Sequence, residues 1–127
     1  MQNQKSALGL DGNVTALLGY IVGIVALVLI FIEKDNKFVR FHALQSVLWG
    51  VGVSVIGVVI WIVLAIVGFI FAQISGALAA IIWVVWLLFV LGFFIVLFGG
   101  LIFAAIKAYG GAEFKLPIVG NLAQKWV

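Results

Sequence analysis

The sequence predicts an all-α integral membrane protein, a three-span helical bundle forming a single domain. Three observations carry that expectation. Between Phe41 and Ile106 the chain runs for 66 residues without an Asp, Glu, Lys or Arg, whereas about 18 consecutive apolar residues already suffice for a membrane span. Hydrophobic residues make up 67% of the chain and charged residues 9%, against about 45–50% and about 25% in ordinary globular proteins, so lipid is the expected solvent for most side chains. The charges that remain gather in the flanks: near the amino terminus, between residues 33 and 40, and after Ile106.

Residues 1–13 form a polar lead, expected to fray until Asp11 or Asn13 caps the first helix. The first span is Val14 to Ile32, 19 apolar-rich residues. It exceeds the roughly 7–15 residues of a signal-peptide core and is followed by charges rather than by a small-x-small cleavage site, so it reads as a retained span. Five polar residues, Glu33 to Lys37, then place the loop 33–43 in water, because each charge at a bilayer centre costs about 2.5–3.5 kcal/mol.

The charge-free block has one internal turn signal, Gln73-Ile74-Ser75-Gly76. Dividing there gives helices over 41–72, with its span at 44–72, and over 77–106. At about 1.5 Å per residue these reach about 48 and about 45 Å, against about 30 Å of hydrocarbon. Both are expected to tilt or break, with Gly99-Gly100 as the site of irregularity. A fourth span is disfavoured by charge. Three spans put six basic residues (Lys34, Lys37, Arg40, Lys107, Lys115 and Lys125) on one side and Lys5 on the other. That bias sets the loop and the tail 107–127 in the cytosol and the amino terminus outside, in a multi-pass membrane protein.

Composition also bounds the chemistry. Cysteine is absent and His42 is the only histidine, so neither a thiolate nucleophile nor a metal-ligand set is expected. The four carboxylates, Asp11, Glu33, Asp35 and Glu113, all lie in polar flanks, away from the intramembrane positions that proton-coupled transport uses. No Ser/His pair has an orienting carboxylate at a suggestive spacing. The reading is therefore non-enzymatic, with no catalytic residue, cofactor or metal. The net charge of +3 is explained by membrane orientation, without a nucleic-acid partner.

Two motifs remain. If the residues after the first loop are helical, His42, Gln45, Ser46 and Trp49 share one face at i, i+3, i+4 and i+7 and make an interhelical polar stripe. Lys37, Arg40 and His42 at the helix entrance are placed to contact a partner or lipid headgroups; headgroup attraction, about 1 kcal/mol per basic residue, explains such a loop by itself. The second motif is the tail. Gly110-Gly111 stops the last helix, Pro117 fixes a turn, and Glu113 lies where Lys37 or Arg40 can meet it. Small residues at four-residue spacing, including Gly19/Gly23, Ser46/Gly50/Ser54 and Gly100/Ala104/Ala108, are read mainly as packing within the chain, with self-association as the other use. Trp49 is expected near one interface and Trp83 and Trp86 near the other.

The loop sequence Glu33-Lys34-Asp35-Asn36-Lys37-Phe38-Val39-Arg40-Phe41-His42-Ala43-Leu44-Gln45-Ser46, with a tail carrying Phe114, Lys115, Pro117 and Gly120, resembles small prokaryotic membrane proteins related to the Tic-type chloroplast import component. That resemblance, over roughly Val14 to Ala123, implies a prokaryotic plasma-membrane protein that is a subunit or accessory of a membrane assembly with a part in protein translocation. The plant relatives are described as four-helix subunits, whereas charge counting gives three spans here. The expected partners are membrane lipid and either other membrane subunits or further copies of the chain. The alternatives are a small channel or transporter built by self-association and a structural, lipid-interacting protein.

Overall fold

The computed structural model describes residues 2–127. It is all-helical, with α1 over Gly12–Ile21, α2 over Gly23–Ile32, α3 over Lys37–Ile74, α4 over Gly76–Tyr109 and a short α5 over Val119–Lys125. Two of these, α3 and α4, are long and apolar enough to cross a membrane.

The expected continuous span at 14–32 does not form. Val22 adopts an extended conformation, φ −118° and ψ 94°, and α1 and α2 double back on each other there. A Cβ on Gly19 would lie 3.8 Å from the Ala26 Cβ and 3.8 Å from a Leu29 methyl carbon, an approach that a straight helix forbids for residues seven and ten apart. Gly19 and Ala26 are small enough to let the two legs close. Each leg has 10 residues, about 15 Å, roughly half a hydrocarbon core. Hydropathy counts apolar residues without sensing direction, so one full span and two half-spans read alike.

This turn brings residues 2–11 back to the first loop. The Ala7 N–H donates to Glu33 Oε2 at 2.7 Å, Asn36 Nδ2 donates to the Gln4 carbonyl at 3.0 Å, and Asn13 Nδ2 donates to the Tyr109 carbonyl at 3.1 Å. The amino-terminal segment therefore sits against the first loop and the end of α4, whereas a continuous first span would have set it at the far end of the helices from them. Nor does the segment fray. Lys5 and Asp11 form a bridge and an ion pair at 2.8 Å. Asp11 makes no side-chain cap at α1, whereas Asn13 Oδ1 accepts the Val14 N–H at 2.9 Å, and the Gln4 and Gln2 carbonyls accept the N–H groups of Gly12 and Asn13.

From that shared end α3 runs outward for 38 residues and α4 returns for 34, about 57 and about 51 Å. Asn36 caps α3 by accepting from the Val39 N–H, and Ser75 caps α4 by accepting from the Ala77 N–H. The turn falls where the sequence placed it. The expected irregularity at Gly99-Gly100 is absent, since α4 passes through unbroken. Gly100 serves close approach instead: a Cβ there would lie 2.6 Å from the Trp49 ring.

Burial is concentrated at one end. Buried α3 residues lie between Phe38 and Ser46, apart from Gly57 against Phe93, and buried α4 residues are Ala104, Ala105 and Ala108. These alanines admit α1, whose Ala16 and Tyr20 join the same core. Beyond Gly57 the molecule is a bare pair of helices.

Candidate functional site

The region with the most specific chemistry is the buried polar cap where α1, α3 and the tail meet. Gln45 is its centre. About one helical turn into the charge-free block, its carboxamide is buried and bonds three residues, one on α1 and two on the tail: Nε2 donates to the Tyr20 hydroxyl at 2.7 Å and to the Phe114 carbonyl at 2.9 Å, and Oε1 accepts the Leu116 N–H at 2.8 Å. A primary amide offers two donors and one carbonyl oxygen, so here it pairs with a backbone much as a neighbouring strand would.

His42, one turn earlier, shares a hydrogen bond of 2.9 Å between Nδ1 and the Tyr20 hydroxyl. Because the phenol oxygen already accepts from Gln45, the simplest assignment sends its proton to Nδ1 and leaves the imidazole proton on Nε2. That nitrogen is buried without a hydrogen-bond partner. Tyr20, Phe38 and Phe41 pack edge-on around the imidazole, at centroid distances of 5.6, 4.5 and 5.0 Å. Ser46 Oγ donates to the Gly19 carbonyl at 2.9 Å. Gly19 lies in the last turn of α1, where carbonyls run out of intrahelical partners, so this hydroxyl completes the broken helix. Trp49 Nε1 donates to the Leu97 carbonyl on α4 at 3.1 Å. The stripe thus ties α3 to α1 through His42, Gln45 and Ser46, to the tail through Gln45 and to α4 through Trp49.

The entrance residues separate. Lys37 is exposed and Arg40 half-buried, with its Nε lacking a partner, whereas His42 has 0% of its surface accessible. Burial separates His42 from the surface it was expected to share with Lys37 and Arg40, because its ring packs among Tyr20, Phe38 and Phe41. Glu113 forms no ion pair with Lys37 or Arg40; the one among the described residues is Lys5 with Asp11.

The tail is organised by what it packs against. Gly111, at φ 80°, turns the chain after α4, and Leu116 is buried. Pro117 and Lys115 are exposed, Phe114 is half-buried against Phe103, and Gly120 lies so close to the cap that a Cβ would come within 2.6 Å of the Lys115 Cβ and 2.7 Å of Gln45 Oε1. Between them, Ile118 takes φ 66° and ψ −61°, with the Val119 N–H donating to the Pro117 carbonyl at 2.7 Å. This is a γ-turn of the rare, strained hand. Ala123 on α5 then seats against Phe41 and Leu44.

Sequence reasoning missed five contributors: Ser6, Thr15, Tyr20, Glu33 and Asn36, all buried. Thr15 and Ser6 share a hydroxyl hydrogen bond at 2.7 Å, and the Glu33 carboxylate accepts N–H groups of Ala7 and Asn36. The loop expected to be wholly in water therefore alternates, with Lys34, Asp35 and Lys37 outside and Glu33 and Asn36 inside. The three-residue spacing of Glu33 and Asn36, and a lone Tyr20 within an apolar run, were the available signals.

Beside the cap lies an open groove of about 780 Å³, lined by Ile21 and Gly23 at the α1–α2 turn, Gly50 and Ser54 on α3, and Phe98 and Ile102 on α4. It begins where the half-length hairpin stops.

Fold and site together define a small helical membrane protein with two long apolar helices, a half-length hairpin and one polar cap. The chain belongs to the MamF/MmsF family, described as the magnetosome magnetite crystal formation protein family, which it matches over residues 5–123. It is 33% identical over 125 residues to a UPF0132 membrane protein of Methanocaldococcus jannaschii, covering 96% of this chain and 94% of that one. A second UPF0132 membrane protein of that organism is 27% identical, over 94% of this chain and 73% of the relative, and one from Archaeoglobus fulgidus is 29% identical, over 91% and 94%. No solved structure matches. The expected link to chloroplast import finds no support among these matches, which show a family of small membrane proteins.

Proposed function

We propose that this chain is a non-enzymatic subunit of a membrane assembly, inserted with its polar cap in the cytosol. One observation carries the orientation: the fold gathers all seven basic residues at the end where the amino-terminal segment, the first loop and the tail meet, while the opposite turn, Gln73-Ile74-Ser75-Gly76, has none. A distribution of seven against zero is stronger than the six against one expected from three spans, and the positive-inside rule puts that end in the cytosol.

The role as a subunit is supported by what the chain leaves uncovered. Each long helix exceeds about 30 Å of hydrocarbon by more than half its thickness, and below Gly57 each has only the other for company. Gly50 and Ser54 line the groove, and a Cβ on Gly50 would meet nothing within 4 Å; small residues at an open membrane surface admit another helix closely. The family description names magnetite crystal formation. Among the described residues no three His, Cys, Asp or Glu side chains come together, so this reading rests on architecture rather than on ligation.

Crosslinking tests it. In a chain without native cysteine, Ser54→Cys is expected to form protein adducts in native membranes, with a second copy or another subunit, and Phe31→Cys on the outer face of α2 is expected to form far fewer. Equal, background-level crosslinking at both positions would contradict a subunit role.

A further inference from the structure

The half-length hairpin makes the molecule unequal in its two halves. At the charged end, α1, α2, α3 and α4 lie side by side and α5 packs on α3 through Phe41 and Leu44. Past the α1–α2 turn, which lines one groove with α3 residues as far as Val55, only α3 and α4 continue. The hairpin's outer face is strongly apolar and exposed, with Ile21 at 65%, Ile24 at 69% and Phe31 at 76%, so it belongs in hydrocarbon rather than in water. Its depth of about 15 Å matches one leaflet. Two extra helix cross-sections, each about 10 Å across, are thereby added to a single leaflet.

From this asymmetry we propose that the protein is a curvature-active wedge, acting on the lipid bilayer itself: it widens the leaflet that holds its charged cap and stabilises membrane bent with that leaflet on the convex side. Side chains hold the shape. The Tyr20–Gln45 and Ser46–Gly19 hydrogen bonds tie α1 to α3, and the Glu33 and Asn36 bonds to residues 4 and 7 close the hairpin's open end. The wedge is thus part of the folded core and cannot flatten without losing buried hydrogen bonds. With the cap cytosolic, as in the reading above on which this rests, the favoured bend bulges toward the cytosol. Copies meeting side by side at the groove would still be broad at the charged end, whereas antiparallel copies would form a cylinder.

The test uses the full chain reconstituted into phosphatidylcholine vesicles by slow detergent removal, so that vesicle size is free to respond. Mean diameter, measured by electron cryomicroscopy, is expected to fall steadily as the protein-to-lipid ratio rises. In preformed vesicles, Lys34→Cys is expected to be labelled by a membrane-impermeant maleimide mostly from outside when the vesicles are small, and about equally from both faces when they are large. Removing residues 1–35 is expected to abolish both effects; should that variant fail to fold, the full-length measurements decide alone. A diameter independent of protein density, with no orientation bias in small vesicles, overturns the wedge. Leu8→Cys and Lys34→Cys on one face together with that result would leave the one-sided cap standing; the two on opposite faces would overturn both.

Discussion

The side-chain oxygen of Gln45 accepts the backbone N–H of Leu116 at 2.8 Å, joining the entrance of one membrane helix to the tail that follows the other. The same carboxamide bonds Phe114 and Tyr20, so one buried side chain supplies the tail's hydrogen bonds to α3 beside its apolar contacts at Phe103, Phe41 and Leu44. Replacing Gln45 by Leu leaves buried donors and acceptors unpaired, each costing about 1–3 kcal/mol. The expected outcome is a lower melting temperature in detergent and faster tryptic cleavage at Lys115, with the membrane insertion of α3 and α4 unchanged.

Tyr20 and Gln45 act as one unit, and a double-mutant cycle tests this. Tyr20→Phe removes the hydroxyl that serves both Gln45 and His42, at an expected cost of about 1–3 kcal/mol. Because the two residues share a bond, the double variant Tyr20→Phe/Gln45→Leu is expected to lose less than the sum of the two single changes. Strict additivity in thermal or denaturant unfolding would argue against the coupling.

Three glycines should behave in three ways. Gly120→Ala pushes a methyl into Lys115 and Gln45, and is expected to detach the tail as Gln45→Leu does. Gly100→Ala displaces the Trp49 ring from α4, which a shift in Trp fluorescence would report, in a background with the other tryptophans replaced by Phe. Gly50→Leu meets open space within the chain. The four-residue spacing alone suggested internal packing at this position, but the structure leaves the site facing the groove. Its expected signature is unchanged thermal stability of the monomer with altered oligomer size.

Much of the fold was legible because hydrophobicity and turn chemistry act locally. The absence of charge from Phe41 to Ile106 marked α3 and α4, Gln73 to Gly76 marked their turn, and paired glycines marked the end of α4. The face shared by His42, Gln45, Ser46 and Trp49 follows from helical period alone. What stayed hidden depends on partners distant in the chain. The break at Val22 needs Ser46 to satisfy Gly19 and small residues to close the legs, and apolar composition records neither. Glu33 and Asn36 looked like solvated loop residues because their partners are backbone groups of residues 4 and 7, which sequence pattern does not bring near.

The central claim is that the amino-terminal segment, the first loop and the tail share one face of the membrane while α1 and α2 enter it only partway. Single cysteines at Leu8, Lys34, Lys115 and Gln73, probed in intact cells with an impermeant maleimide before and after permeabilisation, test it most directly. The expected result is protection of the first three until permeabilisation and immediate labelling at Gln73. Labelling at Leu8 in intact cells, with Lys34 protected, would restore a full first span and contradict the fold described here.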